Sequence, residues 1–113
     1  MAEKISFQDW QKIDLRVGKI LEVEDVEGAD KLYKLIVDVG KEIGKRTICA
    51  GIKQRYSKKE LKGKKIIVFV NLEPRKMRGI ESQGMLLACV TDDESSVVLI
   101  SPEKDIEIGS KVR

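Results

Sequence analysis

Histidine is absent from this chain, and with it the side chain that most often serves as a general base near neutral pH. There are only two cysteines, Cys49 and Cys89, each inside an apolar, strand-like stretch. They form neither a disulfide framework nor a Cys/His metal spacing, and both read as buried, reduced thiols. The glycine-lysine signature of a P-loop is missing. No apolar run approaches the roughly 20 residues of a membrane helix. The opening residues Met-Ala-Glu-Lys-Ile-Ser lack the apolar centre of an export signal. No carboxylate flanks a candidate nucleophile. These gaps point away from catalysis, cofactors and membranes and towards a cytoplasmic binding protein. Aromatics are also scarce, five in 113 residues, which leaves few platforms for stacking bases. Phe7, Trp10 and Phe69 read as core, and Tyr33 and Tyr56 remain as stacking partners.

What is present is apolar bulk from Val, Ile and Leu, suited to strands, in a chain long enough for one domain, residues 1–113. Charge is segregated along it. Residues 31–80 hold fifteen Lys/Arg against four Asp/Glu, whereas residues 1–30 and 81–113 are both net acidic. A basic middle between acidic ends points to an anionic partner on one face.

Local signals place the elements. Ser6 caps a short helix from Phe7 to about Lys12, within an N-terminal extension over residues 1–12. Ile13, Leu15 and Val17 alternate with polar neighbours, and the parity then changes, so a long first strand bends or bulges between Gly18 and Leu21. A second strand spans Leu32 to Val39, a hairpin connection Gly40 to Gly44, and a third strand Arg46 to Ala50. Ser57 and Glu60 stand at capping-box spacing for a short helix ended by Gly63. Ile66–Val70 and Met85–Val90 read as the fourth and fifth strands, and Val97–Ile100 as a further one. Residues 101–113 read as an irregular tail or a dimerisation element. Three strands, a short helix and two strands match an all-β, five-stranded OB-fold barrel with the helix between strands 3 and 4.

The connection between the fourth and fifth strands is unusual. It reads Asn71-Leu-Glu-Pro-Arg-Lys-Met-Arg-Gly-Ile-Glu-Ser-Gln-Gly-Met85, with Arg75, Lys76 and Arg78 inside four residues. In OB barrels this loop flanks the ligand face, so a mobile cationic loop here suggests a phosphate-rich ligand, a nucleic acid foremost. Pro74 stiffens its entry. Ser82 and Gln83 are short polar groups that suit either a ligand or local loop capping. Met85 opens a strand, where a methionine usually packs inward. Asn71 serves either the loop backbone or a ligand. Asp14 and Arg16 form either a buried ion pair or a ligand contact. Lys31, Lys34, Lys53 and Arg55 extend the basic surface if the fold gathers them.

Three stretches, Ile13-Asp-Leu-Arg-Val-Gly-Lys-Ile, Cys49-Ala-Gly-Ile and the Asn71–Met85 run, together resemble the tRNA-binding domain family. That domain occurs as free-standing proteins, at the C-terminus of bacterial methionyl-tRNA synthetases and in related synthetase cofactors. The resemblance covers about Phe7 to Arg113. It implies an OB-fold homodimer that binds tRNA by shape, without chemistry of its own, in the service of an aminoacyl-tRNA synthetase. It also implies RNA contacts at Arg75, Lys76 and Arg78, and at Ser82, Gln83, Met85 and Asn71. Some relatives of the same fold resemble peptide-binding, export-related chaperones, an alternative that requires a large apolar surface groove.

Overall fold

Strict alternation after Asp14 produces the longest strand, β1 (Leu15–Asp25), and its break in parity produces a bend. β1 gives its first half to β4 (Lys65–Phe69), with Leu15 opposite Phe69 and Lys19 opposite Lys65. Its second half pairs with β2 (Tyr33–Asp38), from Lys19 opposite Asp38 to Asp25 opposite Tyr33. The register slips between Ile20 and Glu22, where the sequence pattern predicts a bulge. Gly18 sits at this strand crossing. A Cβ there would lie 2.8 Å from a Val37 methyl and 2.9 Å from a Val68 methyl, so only hydrogen fits. The structure is a computed structural model and describes residues 3–113.

The other elements follow in antiparallel fashion. β2 pairs with β3 (Lys45–Ala50), and the five-stranded sheet runs β3-β2-β1-β4-β7, with β7 at Met85–Leu86. Two outer segments, β3 and residues 82–83, then meet and nearly close the barrel. The Gln83 N–H donates to the Thr47 carbonyl at 2.8 Å. The Thr47 N–H donates to Gln83 Oε1 at 3.0 Å, and the Cys49 N–H to Ser82 Oγ at 3.0 Å.

Three one- to two-turn helices complete the outline. The first, α1 (Phe7–Gln11), is capped by Ser6, whose hydroxyl accepts from the Asp9 N–H. The second, α2 (Gly40–Ile43), lies where the sequence reads as a plain hairpin connection. The third, α3 (Lys58–Leu61), follows β3 as predicted, with both halves of the Ser57/Glu60 capping box formed. Its Leu61 is wholly buried among Ile20, Leu35, Ile48, Ile66 and Val68.

The predicted fifth strand divides. β7 stays with β4, and β8 (Ala88–Val90) leaves to pair with β9 (Val97–Leu99). The C-terminal residues fill the edge of β1 that β2 does not reach. Val17 N–H donates to the Ser110 carbonyl, and Val112 N–H to that of Leu15, both at 2.9 Å. Together with α1 they cover Leu15, Val17 and Ile67. Arg16, only 5% exposed, chelates Asp14 through Nε and Nη2 at 2.7 and 3.2 Å and reaches the Gly109 carbonyl. This pair is therefore a structural clamp on the tail.

Three expectations about individual side chains are corrected. Phe7 is 70% exposed, because α1 turns Trp10 rather than Phe7 towards the barrel. Tyr33 is buried and Tyr56 half-buried against the core. The Tyr33 hydroxyl donates to the Tyr56 carbonyl, and the Tyr56 hydroxyl accepts from the Leu99 N–H, so neither ring is offered for stacking. Both thiols are free, but only Cys49 is buried. Cys89 points outward from the β8–β9 ribbon.

Candidate nucleic-acid interface

The cationic run is an ordered hairpin rather than a mobile loop. β5 (Arg75–Met77) pairs with β6 (Ile80–Ser82), Arg75 opposite Ser82 and Met77 opposite Ile80. Two residues, Arg78 and Gly79, make the turn, with φ of +54° and +79°. Positive φ at both central positions defines a type I′ turn, whose twist matches that of the strands. Gly79 adopts this freely, whereas Arg78 is held in a region that costs an L-residue about 1–2 kcal/mol.

Alternation then assigns the two faces of the hairpin. Met77 and Ile80 pack on a small apolar cluster of Val26, Ala29, Leu32 and Cys49. This cluster is separate from the barrel core and ties the hairpin to the β1–β2 loop. Lys76 and Glu81 face outward, directly across from one another. Arg75, Lys76 and Arg78 are all exposed. The gap between hairpin and loop is a cleft of about 490 Å³ lined by Ala29, Asp30, Lys31, Arg75, Lys76 and Arg78, among others. Lys31 thereby joins the cationic trio across some 45 residues of sequence.

The other basic residues divide by partner. Lys53 and Lys58 both reach Asp25, at 3.2 and 2.8 Å, and hold its carboxyl below the usual range, Lys58 contributing most. Lys34 lies 3.9 Å from Glu24. Arg55 donates to the carbonyls of Ser95 and Glu94 and braces the β8–β9 turn. Among the described residues, no carboxylate stands within ion-pair distance of Arg75, Lys76, Arg78 or Lys31. Asp30 shares the cleft and Glu81 lies across from Lys76, but neither is paired with them, and the four exposed cations remain in excess.

The polar residues of the run behave differently. Ser82 is 4% exposed; its hydroxyl accepts from the Cys49 N–H and donates to the Gly84 carbonyl at 3.1 Å. Gln83 spends its side-chain carbonyl on Thr47. Asn71 accepts from the Asp14 N–H at 2.8 Å and donates to the Lys12 carbonyl at 2.6 Å, pinning the hairpin's entry to the start of β1. All three side chains bond within the fold, Ser82 buried, Gln83 half-buried and Asn71 at the surface. Met85 does the reverse and is 42% exposed at the hairpin's root. Sequence reasoning did not single out the anchors Met77 and Ile80, although their placement either side of Arg78-Gly79 is an alternation signal.

Comparison with known proteins agrees with this geometry. Residues 15–111 match the family described as "Putative tRNA binding domain". The chain is 53% identical over 111 residues to a methionine–tRNA ligase of Pyrococcus horikoshii, covering 98% of this chain and 15% of that protein. A methionine–tRNA ligase of Caldanaerobacter subterraneus subsp. tengcongensis is 54% identical over 108 residues, 96% of this chain and 16% of the relative. The chain thus spans less than a fifth of these relatives' length. Among solved structures, a MetRS-related protein from Pyrococcus horikoshii superposes with a TM-score of 0.91 at 38% identity, over 99% of this chain and all of that one. The CsaA chaperone protein of Picrophilus torridus gives 0.87 at 39% identity, over 97% of this chain and all of that one. A match across most of the chain, with relatives more than half identical over it, establishes that this protein belongs to the tRNA-binding domain family.

Proposed function

We propose that the protein is a non-catalytic, structure-specific tRNA-binding subunit or cofactor for an aminoacyl-tRNA synthetase, methionyl foremost, acting as a cytoplasmic homodimer. One observation carries the reading: four exposed cations, none of them ion-paired, outnumber the one carboxylate, Asp30, in a single cleft between a paired hairpin and the loop facing it. Arg75, Lys76, Arg78 and Lys31 take phosphates there, and Met85 supplies an apolar contact at the hairpin's root. Ser82, Gln83 and Asn71 act through the backbone they hold, fixing where the cations stand. Recognition is chiefly by backbone shape, because among the described residues no aromatic ring lines the cleft or the smaller cavity beside it to stack a base. In a dimer, two such hairpins on one RNA would raise affinity without new contact types.

Titration of labelled tRNA at 50 and 200 mM salt tests this. Each duplex phosphate contact makes affinity fall by about 3.5-fold across that interval, from a slope near 0.9 per contact. An Arg75/Lys76/Arg78→Ala variant should therefore lose roughly 40-fold of wild-type salt sensitivity, in addition to its weaker binding. Wild-type affinity in that variant, with its fold intact by circular dichroism, would sink the assignment. Gel filtration and light scattering of the free protein test the dimer.

Peptide binding is the second reading. It is supported by the likeness to the CsaA chaperone protein and by a groove of about 560 Å³ that Phe7, Trp10, Ile13 and Val112 help to line. Unlike RNA binding, peptide capture there should be nearly indifferent to salt and should weaken in Phe7→Ala.

A further inference from the structure

At the root of the hairpin lies a second, smaller cavity of about 140 Å³. Its walls are Leu72, Met77 and Met85, its floor is Cys49, Ser82 and Gly84, and Glu73 and Arg75 stand at its rim. Leu72 and Met85 are 36% and 42% exposed, although each sits next to a well-packed barrel. Arg75 and Met77 line this cavity and the cationic cleft alike, so the two share a corner.

We propose that this cavity receives one unstacked pyrimidine base, cytosine in preference to uracil, from the RNA whose phosphates lie on Arg75, Lys76 and Arg78. The inference rests on the RNA-binding reading and deepens it. Size argues for a single ring: an apolar cavity of about 150 Å³ takes one benzene, and a bicyclic purine is larger. Lining argues for an aromatic guest, since methionine sulfur and aliphatic walls pack well against a ring where no aromatic platform exists. Adjacency argues for RNA, because a base in the cavity puts its own phosphate at Arg75 and its neighbours' along the cleft.

Polarity sets the choice of base. On the floor, the Ser82 hydroxyl gives its only proton to the Gly84 carbonyl and accepts from the Cys49 N–H, so it has no donor left for a base carbonyl. Readout is therefore left to the rim. The Glu73 carboxylate only accepts, so it rewards the exocyclic amino group of cytosine and opposes the carbonyl that uracil presents at the same position. The guanidinium of Arg75 only donates and suits the ring carbonyl or the phosphate.

The test uses fluorescence anisotropy with labelled single-stranded octamers of cytidine, uridine and adenosine, which carry equal phosphate charge. The wild type should bind the cytidine octamer about five- to tenfold more tightly than the uridine octamer, and the adenosine octamer no better than the uridine one. Glu73→Gln presents both a donor and an acceptor, so the cytidine preference should fall below about twofold while the salt slope stays the same. Leu72→Ala and Met85→Ala, both at exposed positions, should weaken the cytidine octamer several-fold, again without altering the slope. Equal binding of cytidine and uridine octamers by the wild type, or a full preference retained in Glu73→Gln, overturns the proposal. So does a leucine-rich octapeptide that binds, is weakened by Met85→Ala and is not displaced by the cytidine octamer. The Arg75/Lys76/Arg78→Ala variant separates the two ideas. If all octamers bind it as they bind the wild type, the phosphate reading fails; base-blind binding by the wild type, with a slope that shrinks in this variant, removes only the base pocket.

Discussion

Arg78 is where stability and binding pull in opposite directions, and Arg78→Asn exposes both. The first central residue of a type I′ turn needs positive φ, and asparagine is the favoured side chain there. Arginine at φ +54° carries a left-handed cost of about 1–2 kcal/mol. Asparagine relieves part of it, so a gain of roughly 0.5–1 kcal/mol is expected, a rise in Tm of about 2–4 °C for a domain of this size. The relief should register globally, because the hairpin is bonded into the barrel through Ser82 and Gln83 and packed on Leu32 and Cys49. Binding should move the other way. An exposed charge contact is worth up to about 1 kcal/mol, so tRNA affinity should fall by up to about fivefold. The salt slope should shrink by about one contact. Arg78→Lys keeps the charge and the strain, and should change neither stability nor slope appreciably. Denaturant melts paired with tRNA titrations at two salt concentrations read both effects. An Asn variant that binds like the wild type with an unchanged slope refutes the phosphate role, and one that is less stable refutes the strained turn.

Two further outcomes follow, one from the barrel and one from the β8–β9 turn. Gly18→Ala puts a methyl within 3 Å of Val37 and Val68, both wholly buried, and should cost about 1–3 kcal/mol, read as a lower Tm with tRNA binding otherwise preserved below the transition. Asp93, which accepts from the Ser95 hydroxyl and N–H and from the Thr91 hydroxyl, has its pKa lowered from 3.8 to about 2. A depressed folded pKa means that its contribution is complete above about pH 4 and is lost as pH falls towards 2. The stability gap between wild type and Asp93→Asn should therefore be open at pH 6 and close on acidification in thermal melts. A gap that widens in acid would contradict the sign.

What the sequence disclosed was whatever it encodes locally. Ser6 and the Ser57/Glu60 box mark their helices through side-chain bonds spanning three residues, and the parity change after Val17 marks the β1 bulge. The hairpin within the cationic run was hidden, because its turn is Arg-Gly rather than Asn-Gly and its strands are three residues each. The fate of the polar motif residues was hidden for another reason. Ser82 and Gln83 satisfy backbone N–H groups of β3 more than 30 residues away, a need that exists only once the barrel is nearly closed. Aromatic burial was misjudged likewise. Whether Tyr33 or Phe7 faces inward depends on which element covers it, and α1 offers Trp10 instead.

The division of labour along one fifteen-residue run has a physical logic. Side chains that grip a polyanion need to project into solvent with their charge uncompensated, a demand that neither packs nor hydrogen-bonds them to anything in the free protein. Left on a flexible loop, three such cations would each lose conformational freedom on meeting RNA, and that ordering cost would be subtracted from affinity. Here the ordering occurs during folding instead. Met77 and Ile80 seat the hairpin on Leu32 and Cys49, Ser82 and Gln83 bond it to β3, and Asn71 ties its entry to Lys12 and Asp14. On the proposed reading, Asn71, Ser82, Gln83 and Ile80 matter to binding without touching the ligand: they hold Arg75, Lys76 and Arg78 at fixed positions opposite Lys31. Loss of such a holding residue should weaken affinity while leaving the salt slope intact, whereas loss of a cation changes both, and that difference separates support from contact in any residue of the run.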